Sequence, residues 1–187
     1  MKKLIALVVI PVLAGCLSAG APKVTQWLLE YKGPVRATRL TKYEVGRVSQ
    51  VLVRSPYNEV GIAVLRADGS MAFDPYNEYA ANPTAMLKGF VYDAMDASGL
   101  FGAVVNPSSS VRSSAMAEVL VSRMALDCRK EGTRKAVASV RVRLIVDAER
   151  AMYAQGEGEA DAQDGNYGAA FSSALSAALN SAFGQFR

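Results

Sequence analysis

The chain has 187 residues, of which 51% are hydrophobic and 20% are charged, a length that suits one domain with a substantial core. It contains no histidine, which argues against most metalloenzymes, Ser-His-Asp hydrolases and imidazole acid–base catalysts. Its two cysteines cannot form a disulfide framework, and a net charge of +4 is too small to indicate nucleic-acid binding. We therefore expect no nucleic-acid partner, no metal site and no enzymatic activity.

The first segment of the chain has the features of a bacterial lipoprotein signal. Two lysines precede the apolar run Leu4–Leu13, which is too short to span a bilayer and is typical of a secretory signal. The run ends in Leu13, Ala14, Gly15 and Cys16, which resembles a lipobox, in which small residues precede a cysteine that carries a diacylglyceryl group. The alternative is an ordinary cleaved signal with an incidental cysteine.

We predict cleavage before Cys16, so that residues 1–15 form the signal peptide and Cys16 becomes the acylated first residue. Its covalent diacylglyceryl and N-acyl (palmitate-type) chains anchor the protein stably, since two or three chains suffice where one is marginal. We expect no other cofactor. Leu17 stands where inner-membrane lipoproteins often carry Asp, which favours the periplasm-facing leaflet of an outer membrane. Residues 16–23 are predicted to form the lipidated tether, and residues 24–187 a single domain.

Four strands are predicted before the first helix, because β-branched and aromatic runs alternate there with turn-forming residues. They cover residues 24–31, 45–54, 60–66 and 70–73. Asp68-Gly69, between the last two strands, is the strongest short hairpin signal. The segment 74–83 is rich in turn-forming residues, which predicts a loop.

Two segments change to a helical period. Within 84–98, apolar residues recur every three or four positions, Asn82-Pro83 fits a cap with proline at the first helical position, and Gly99 fits a stop. Residues 167–186 form a second apolar stripe with alanine at most gaps, which permits close approach to a sheet or another helix.

Four more strands between the helices complete the order β-β-β-β-α-β-β-β-β-α. They cover residues 100–105, 115–128, 138–146 and a last segment that ends near Glu157. This order predicts an α+β fold, with a mostly antiparallel or mixed β-sheet and two amphipathic helices packed on one face. Cys128 lies in an apolar run, which indicates a small core residue rather than a catalytic thiol.

The last hairpin has a predicted register. A three-residue loop at 148–150 places Arg141 opposite Glu157 and Val142 opposite Gly156, and the apolar faces of both strands then agree. The polar face of this hairpin, with Arg141 and Arg143, is either solvated or meets a partner.

Several segments occur in the order of a known family. After the lipobox come Trp27-Leu28-Leu29, a valine-rich strand that ends at Pro56, an aromatic loop at 76–83 and a helix exit at 97–105. This arrangement resembles the ABC-type transport auxiliary lipoproteins, the PqiC-like family, over roughly residues 24–186. The chain departs from the family pattern in a longer basic loop at 32–47 and in a charged turn at 129–135.

The resemblance implies a role. Family members accompany MCE-domain proteins and ABC permeases that are thought to move lipids between the inner and outer membranes. The resemblance thus implies a non-enzymatic outer-membrane lipoprotein that acts as a docking or receiving subunit. Tyr76, Asn77 and Tyr79 are candidate partner contacts, since tyrosine buries area while it keeps a polar tip. The alternative is that these rings seal the sheet edge over the helix. A homo-oligomer is compatible with this role, because a ring of lipoprotein subunits can dock on a ring-shaped partner.

Two other functions fit the same sequence. Small α+β lipoproteins also serve as activators or assembly factors of cell-wall enzymes and secretion machines. A carrier of apolar ligands is the third possibility, and it requires a cavity between the helices and the sheet. The alanine-rich second helix permits such a cavity but equally suits tight packing.

Overall fold

The computed structural model describes residues 23–33, 41–146 and 150–187. It contains ten elements in the predicted order, and the α+β class is confirmed. The strands are β1 (Thr25–Trp27), β2 (Tyr43–Val53), β3 (Gly61–Leu65), β4 (Met71–Tyr79), β5 (Phe101–Val105), β6 (Ala115–Asp127), β7 (Lys135–Ile145) and β8 (Ala151–Asp161). The helices are α1 (Pro83–Ala97) and α2 (Tyr167–Gly184).

The sheet is organised around the long strand β6. Along one edge, β6 pairs antiparallel with β7 over its length, and β7 pairs antiparallel with β8. Along the other edge, the first part of β6 pairs in parallel with β2, and its last residues pair in parallel with β3. β5 extends the sheet beyond β2, whereas β4 and β1 extend it beyond β3. The described sheet is therefore mixed, with parallel and antiparallel pairs.

The strand register aligns one apolar face across the sheet. Val51 of β2 lies beside Val119 of β6, which lies beside Val142 of β7, and each is at most 3% exposed. α1 covers the β2 side of this face, where a Cβ on Gly46 would lie 2.5 Å from Met95 Cε. α2 covers the side formed by β7 and β8. Both helices thus pack on one face, as predicted.

α2 lies directly on β8. A Cβ on Gly156 would lie 1.9 Å from the carbonyl oxygen of Ala178, and a Cβ on Gly158 would lie 2.0 Å from that of Ala174. No side chain fits at either glycine, so the alanine-rich helix approaches the strand backbone as closely as the sequence allows. This contact leaves no room for an apolar ligand between α2 and β8.

The predicted caps and turns are confirmed. The side chain of Asn82 accepts a hydrogen bond of 3.0 Å from the Thr84 amide, and α1 begins at Pro83. Gly99 follows the helix with φ of 71°, a conformation that glycine adopts without steric cost. Between β3 and β4, Gly69 has φ of 81°, as the hairpin requires.

The predicted loop over 74–83 is wrong in its first part, because β4 continues to Tyr79. Between the pairs Ala63–Phe73 and Gly61–Glu78, four residues of β4 lie opposite one residue of β3. The turn-forming residues therefore lie in a wide bulge of the strand rather than in a loop. A bulge of this kind bends the strand and redirects its side chains.

The predicted first strand, 24–31, is longer than β1. After Trp27 the chain leaves the sheet and runs along α2, where the amides of Glu30 and Lys32 donate to the hydroxyls of Ser172 and Ser176 at 3.0 and 2.8 Å. These buried serines of α2 replace the hydrogen bonds that a strand partner would supply.

The predicted register of the last hairpin is wrong by two residues. Arg141 lies opposite Gln155 and Val142 opposite Ala154, whereas Glu157 lies opposite Ser139. The hairpin closes one residue earlier than expected, since the Val146 amide donates to the Arg150 carbonyl at 3.1 Å. A shift of two residues preserves the side-chain alternation, so the predicted faces are correct although the pairs are not.

Candidate docking surface at the edge of the sheet

Tyr76 and Asn77 lie in the β4 bulge, where β1 joins the edge of the sheet. β1 runs parallel to β4, with Thr25 beside Asn77 and Trp27 beside Tyr79. The residue before β1, Val24, is 42% exposed, and Tyr76 is 56% exposed. The bulge thus presents an exposed tyrosine near the point where the chain enters the domain.

Asn77 is held by internal hydrogen bonds. Its Oδ1 accepts a bond of 2.9 Å from the indole Nε1 of Trp27, and its Nδ2 donates to Asp74 Oδ1 at 3.0 Å. The same carboxylate oxygen accepts a bond of 2.8 Å from the Tyr76 amide. Asn77 therefore orients Trp27 and fixes the bulge, which makes it a positioning residue for Tyr76.

Trp27 links this edge to the start of α2. Its ring centroid lies 6.0 Å from that of Tyr167, and a Cβ on Gly168 would lie 3.0 Å from the indole. Arg134 donates to the Tyr167 hydroxyl at 2.6 Å and lies 5.8 Å from the centre of its ring. Burial raises the pKa of Tyr167, although the adjacent guanidinium opposes that shift. The edge that carries Tyr76 is thus fixed to the body of the domain.

Tyr79 belongs to the core and does not offer a surface to a partner. Its side chain is 2% exposed and packs edge-on against Phe171 of α2, with ring centroids 5.6 Å apart. Its hydroxyl has no hydrogen-bond partner among the described residues, and burial raises the pKa of Tyr79 well above its ordinary value. For this tyrosine the structure agrees with the alternative interpretation, a ring that seals the sheet edge against the helix.

The polar face of the β7–β8 hairpin forms its own contacts. Arg143 Nη1 lies 3.3 Å from Glu118 Oε2, and its guanidinium lies 5.8 Å from the centre of the Tyr153 ring. Tyr153 is 72% exposed on this face. Arg141 is exposed on the same side of the sheet.

The lipobox residues Leu13, Ala14, Gly15 and Cys16 lie outside the described residues. In the parts of the chain that the structure describes, no helix is long and apolar enough to cross a membrane. Over the same ranges, no three His, Cys, Asp or Glu side chains are grouped so that they could hold a metal ion. Cys128 is partly buried against the core.

Comparisons with known proteins show the fold of this chain. No protein-family model and no curated protein matches the sequence. A DUF330-family protein from Xanthomonas campestris has a similar structure, with a TM-score of 0.63 and 16% identity over 87% of this chain and 98% of that chain. An uncharacterised protein follows with a TM-score of 0.55 and 16% identity over 84% and 94%. PelC from Paraburkholderia phytofirmans, a dodecamer, has a TM-score of 0.42 and 15% identity over 80% and 92%.

The first two similarities establish the fold of this chain. The chain shares the α+β architecture of the DUF330-family protein across nearly the whole length of that protein.

Proposed function

We propose that this protein is a non-enzymatic lipoprotein that is anchored through acylated Cys16 in the periplasm-facing leaflet of the outer membrane. In this proposal it docks or receives the MCE-domain component of an ABC-type lipid-transport system. The similarity to the DUF330 fold over 87% of the chain is the observation that supports it most. The lipobox sequence supplies the anchor.

The proposed mechanism is mechanical. Thr25, the first residue of β1, lies nine positions after Cys16, and a fully extended chain of nine residues spans about 30 Å at most. The acyl chains therefore keep the domain close to the bilayer. β1 enters the sheet beside the β4 bulge, so Tyr76 is presented near the anchored end of the domain. A homo-oligomer belongs to the same proposal, because a ring-shaped partner is best received by a ring.

Affinity purification tests the partner. The tagged full-length protein is extracted in mild detergent, and the co-purified proteins and lipids are identified by mass spectrometry. We expect an MCE-domain protein, and we expect Tyr76→Ala to reduce its recovery. Tyr153→Ala is the matched control, because it removes an even more exposed tyrosine from β8, away from the β4 bulge. A cell-wall synthase or secretion component in place of the MCE protein would overturn the proposal.

Metabolic labelling tests the anchor. Wild-type protein is expected to incorporate labelled palmitate and to sediment with outer-membrane vesicles in a density gradient. Cys16→Ala is expected to lose the label and to appear in the periplasmic fraction. A wild-type protein that carries no label would identify the segment as an ordinary signal and refute the anchored model.

A further inference from the structure

The free outer edge of β2 is the starting observation. β5 pairs only with the first part of β2, from Tyr43 to Arg47, and then ends at Val105, with Pro107 close behind. The rest of β2, Val48–Val53, pairs with β6 on its inner edge except at the bulge residue Ser49, and no described strand pairs with its outer edge. At about 3.3 Å per residue this free edge is about 20 Å long. Its backbone N–H and C=O groups are a template for another extended chain.

An open groove of about 540 Å³ follows this edge between β2 and α1, and we call it the β2 groove. Its apolar lining includes Val48, Val51 and Leu52 from the strand and the ring of Tyr92 from the helix. Leu52 itself, between the buried residues Val51 and Val53, is 46% exposed. The groove lies beside the part of β2 that a longer β5 would pair with.

Gly89 lies in the middle of α1 and lines the β2 groove. Glycine at an interior helix position costs about 0.5–1 kcal/mol relative to alanine. The core gives no reason for it, since a Cβ on Gly89 would meet nothing within 4 Å, and its φ is not positive. Because position 89 carries no side chain, the backbone of a bound chain can approach the helix closely there.

The two charged side chains of the β2 groove, Lys88 and Asp93, lie towards opposite ends of it. α1 runs antiparallel to β2. Met95, near the end of α1, lies against Gly46, near the start of β2. At the start of α1, Asn82 Nδ2 donates to the carbonyl of Asn58, beyond the end of β2, at 3.2 Å. Lys88 therefore lies nearer the Leu52 end of the groove, and Asp93 nearer the opposite end. Within the described ranges no carboxylate pairs with Lys88.

We propose that the β2 groove binds the C-terminal tail of a partner polypeptide, which adds to the free edge of β2 as a short parallel strand. Its carboxylate pairs with Lys88, and small or apolar side chains lie over Gly89 and Tyr92. Backbone pairing supplies the affinity, whereas the carboxylate and the close approach that Gly89 permits supply the specificity. This inference deepens the docking role proposed above by naming the chemistry of the partner segment.

Peptide selection tests the proposal. The full chain, purified in mild detergent, is panned against random hexapeptides with free carboxyl termini, and the enriched peptides are resynthesised with free and amidated ends. We expect alternating apolar peptides whose amidation weakens binding about tenfold, since a charge-assisted bond is lost. We expect Gly89→Trp, which fills the groove, to abolish binding, and Lys88→Glu to weaken it about tenfold. Gly184→Trp is the matched control, because Gly184 also has no neighbour within 4 Å but lies at the end of α2.

Hydrogen exchange locates the bound peptide. We expect slower exchange of amides within Ser49–Leu52 when peptide is present. Failure to enrich any peptide, equal binding to wild type and Gly89→Trp, equal binding of amidated peptides, or protection at β8 instead would each overturn the proposal. If the Gly89→Trp variant still recovers an MCE-domain protein, the transport role stands, but the β2 groove is not the surface that binds this partner. The two proposals therefore fail separately.

Discussion

The packing of α2 on β8 predicts that Gly158→Ala destabilises the protein. The added Cβ would lie 2.0 Å from the Ala174 carbonyl oxygen, whereas ordinary contacts of this kind are at 3.4 Å or more. The obstacle is helix backbone, which cannot rotate away as a side chain does, so α2 must move outward by more than 1 Å. That movement loosens the contacts of Leu175 and Phe171, which are fully buried beneath the helix.

The expected cost follows from this geometry. Overpacking typically costs 1–3 kcal/mol, and an obstacle of backbone places Gly158→Ala near the upper value, about 3 kcal/mol. For a domain of this size the melting temperature falls by about 2–4 °C per kcal/mol, which gives a decrease of roughly 6–12 °C. Gly156→Ala requires the same helix displacement, so the double variant is expected to cost less than the sum of the single variants.

Circular dichroism melting of the purified variants measures this effect. Gly89→Ala is the matched control, because its Cβ meets nothing within 4 Å, and it is expected to raise stability by about 0.5–1 kcal/mol. A Gly158→Ala variant that melts within about 2 °C of the wild type would contradict the close contact of α2 with β8.

Three further outcomes are expected. Asn77→Ala removes the acceptor of the Trp27 indole at a cost of about 1 kcal/mol, and the emission of this single tryptophan shifts to longer wavelength. Burial raises the pKa of Tyr79 well above its ordinary value of 10.0, so the folded state holds that proton more tightly than the unfolded state does. The free energy of unfolding therefore decreases as the pH rises past 10. Urea titrations at pH 8–11 should show a shallower decrease for Tyr79→Phe than for the wild type. Phe186→Ala removes a buried ring beside Phe183, and urea unfolding should show a loss of about 3 kcal/mol.

Local signals in the sequence predicted the elements and their order correctly. The helical period, the Asn82-Pro83 cap and the Asp68-Gly69 turn each depend on residues close in the chain, and each holds in the structure. The alanine-rich stripe of the second helix permitted either close approach to a sheet or helix or a cavity, and the two glycines of β8 show that α2 approaches the sheet closely.

Features that depend on distant pairing were not predictable in the same way. The sequence of the β4 bulge predicts a loop because Asp74 and Pro75 are turn-forming residues. Only the pairing of β4 with β3 and β1 keeps this segment in a strand. The burial of Tyr79 depends on Phe171, which lies far along the sequence. One signal of the β2 groove was present in the sequence, since the predicted strands 45–54 and 100–105 differ in length. Their adjacency, which makes that difference meaningful, appears only in the structure.

The position of β6 at the centre of the sheet has a consequence for how the chain acquires its structure. β2 with β5, and β3 with β4 and β1, form two groups that share no pairing with each other in the described chain, and β6 joins them. β6 begins at Ala115, so more than half of the polypeptide must emerge before the two groups can be joined. Parallel pairings across such sequence separations form slowly. The sheet of this nascent chain is therefore completed only after β6 has emerged.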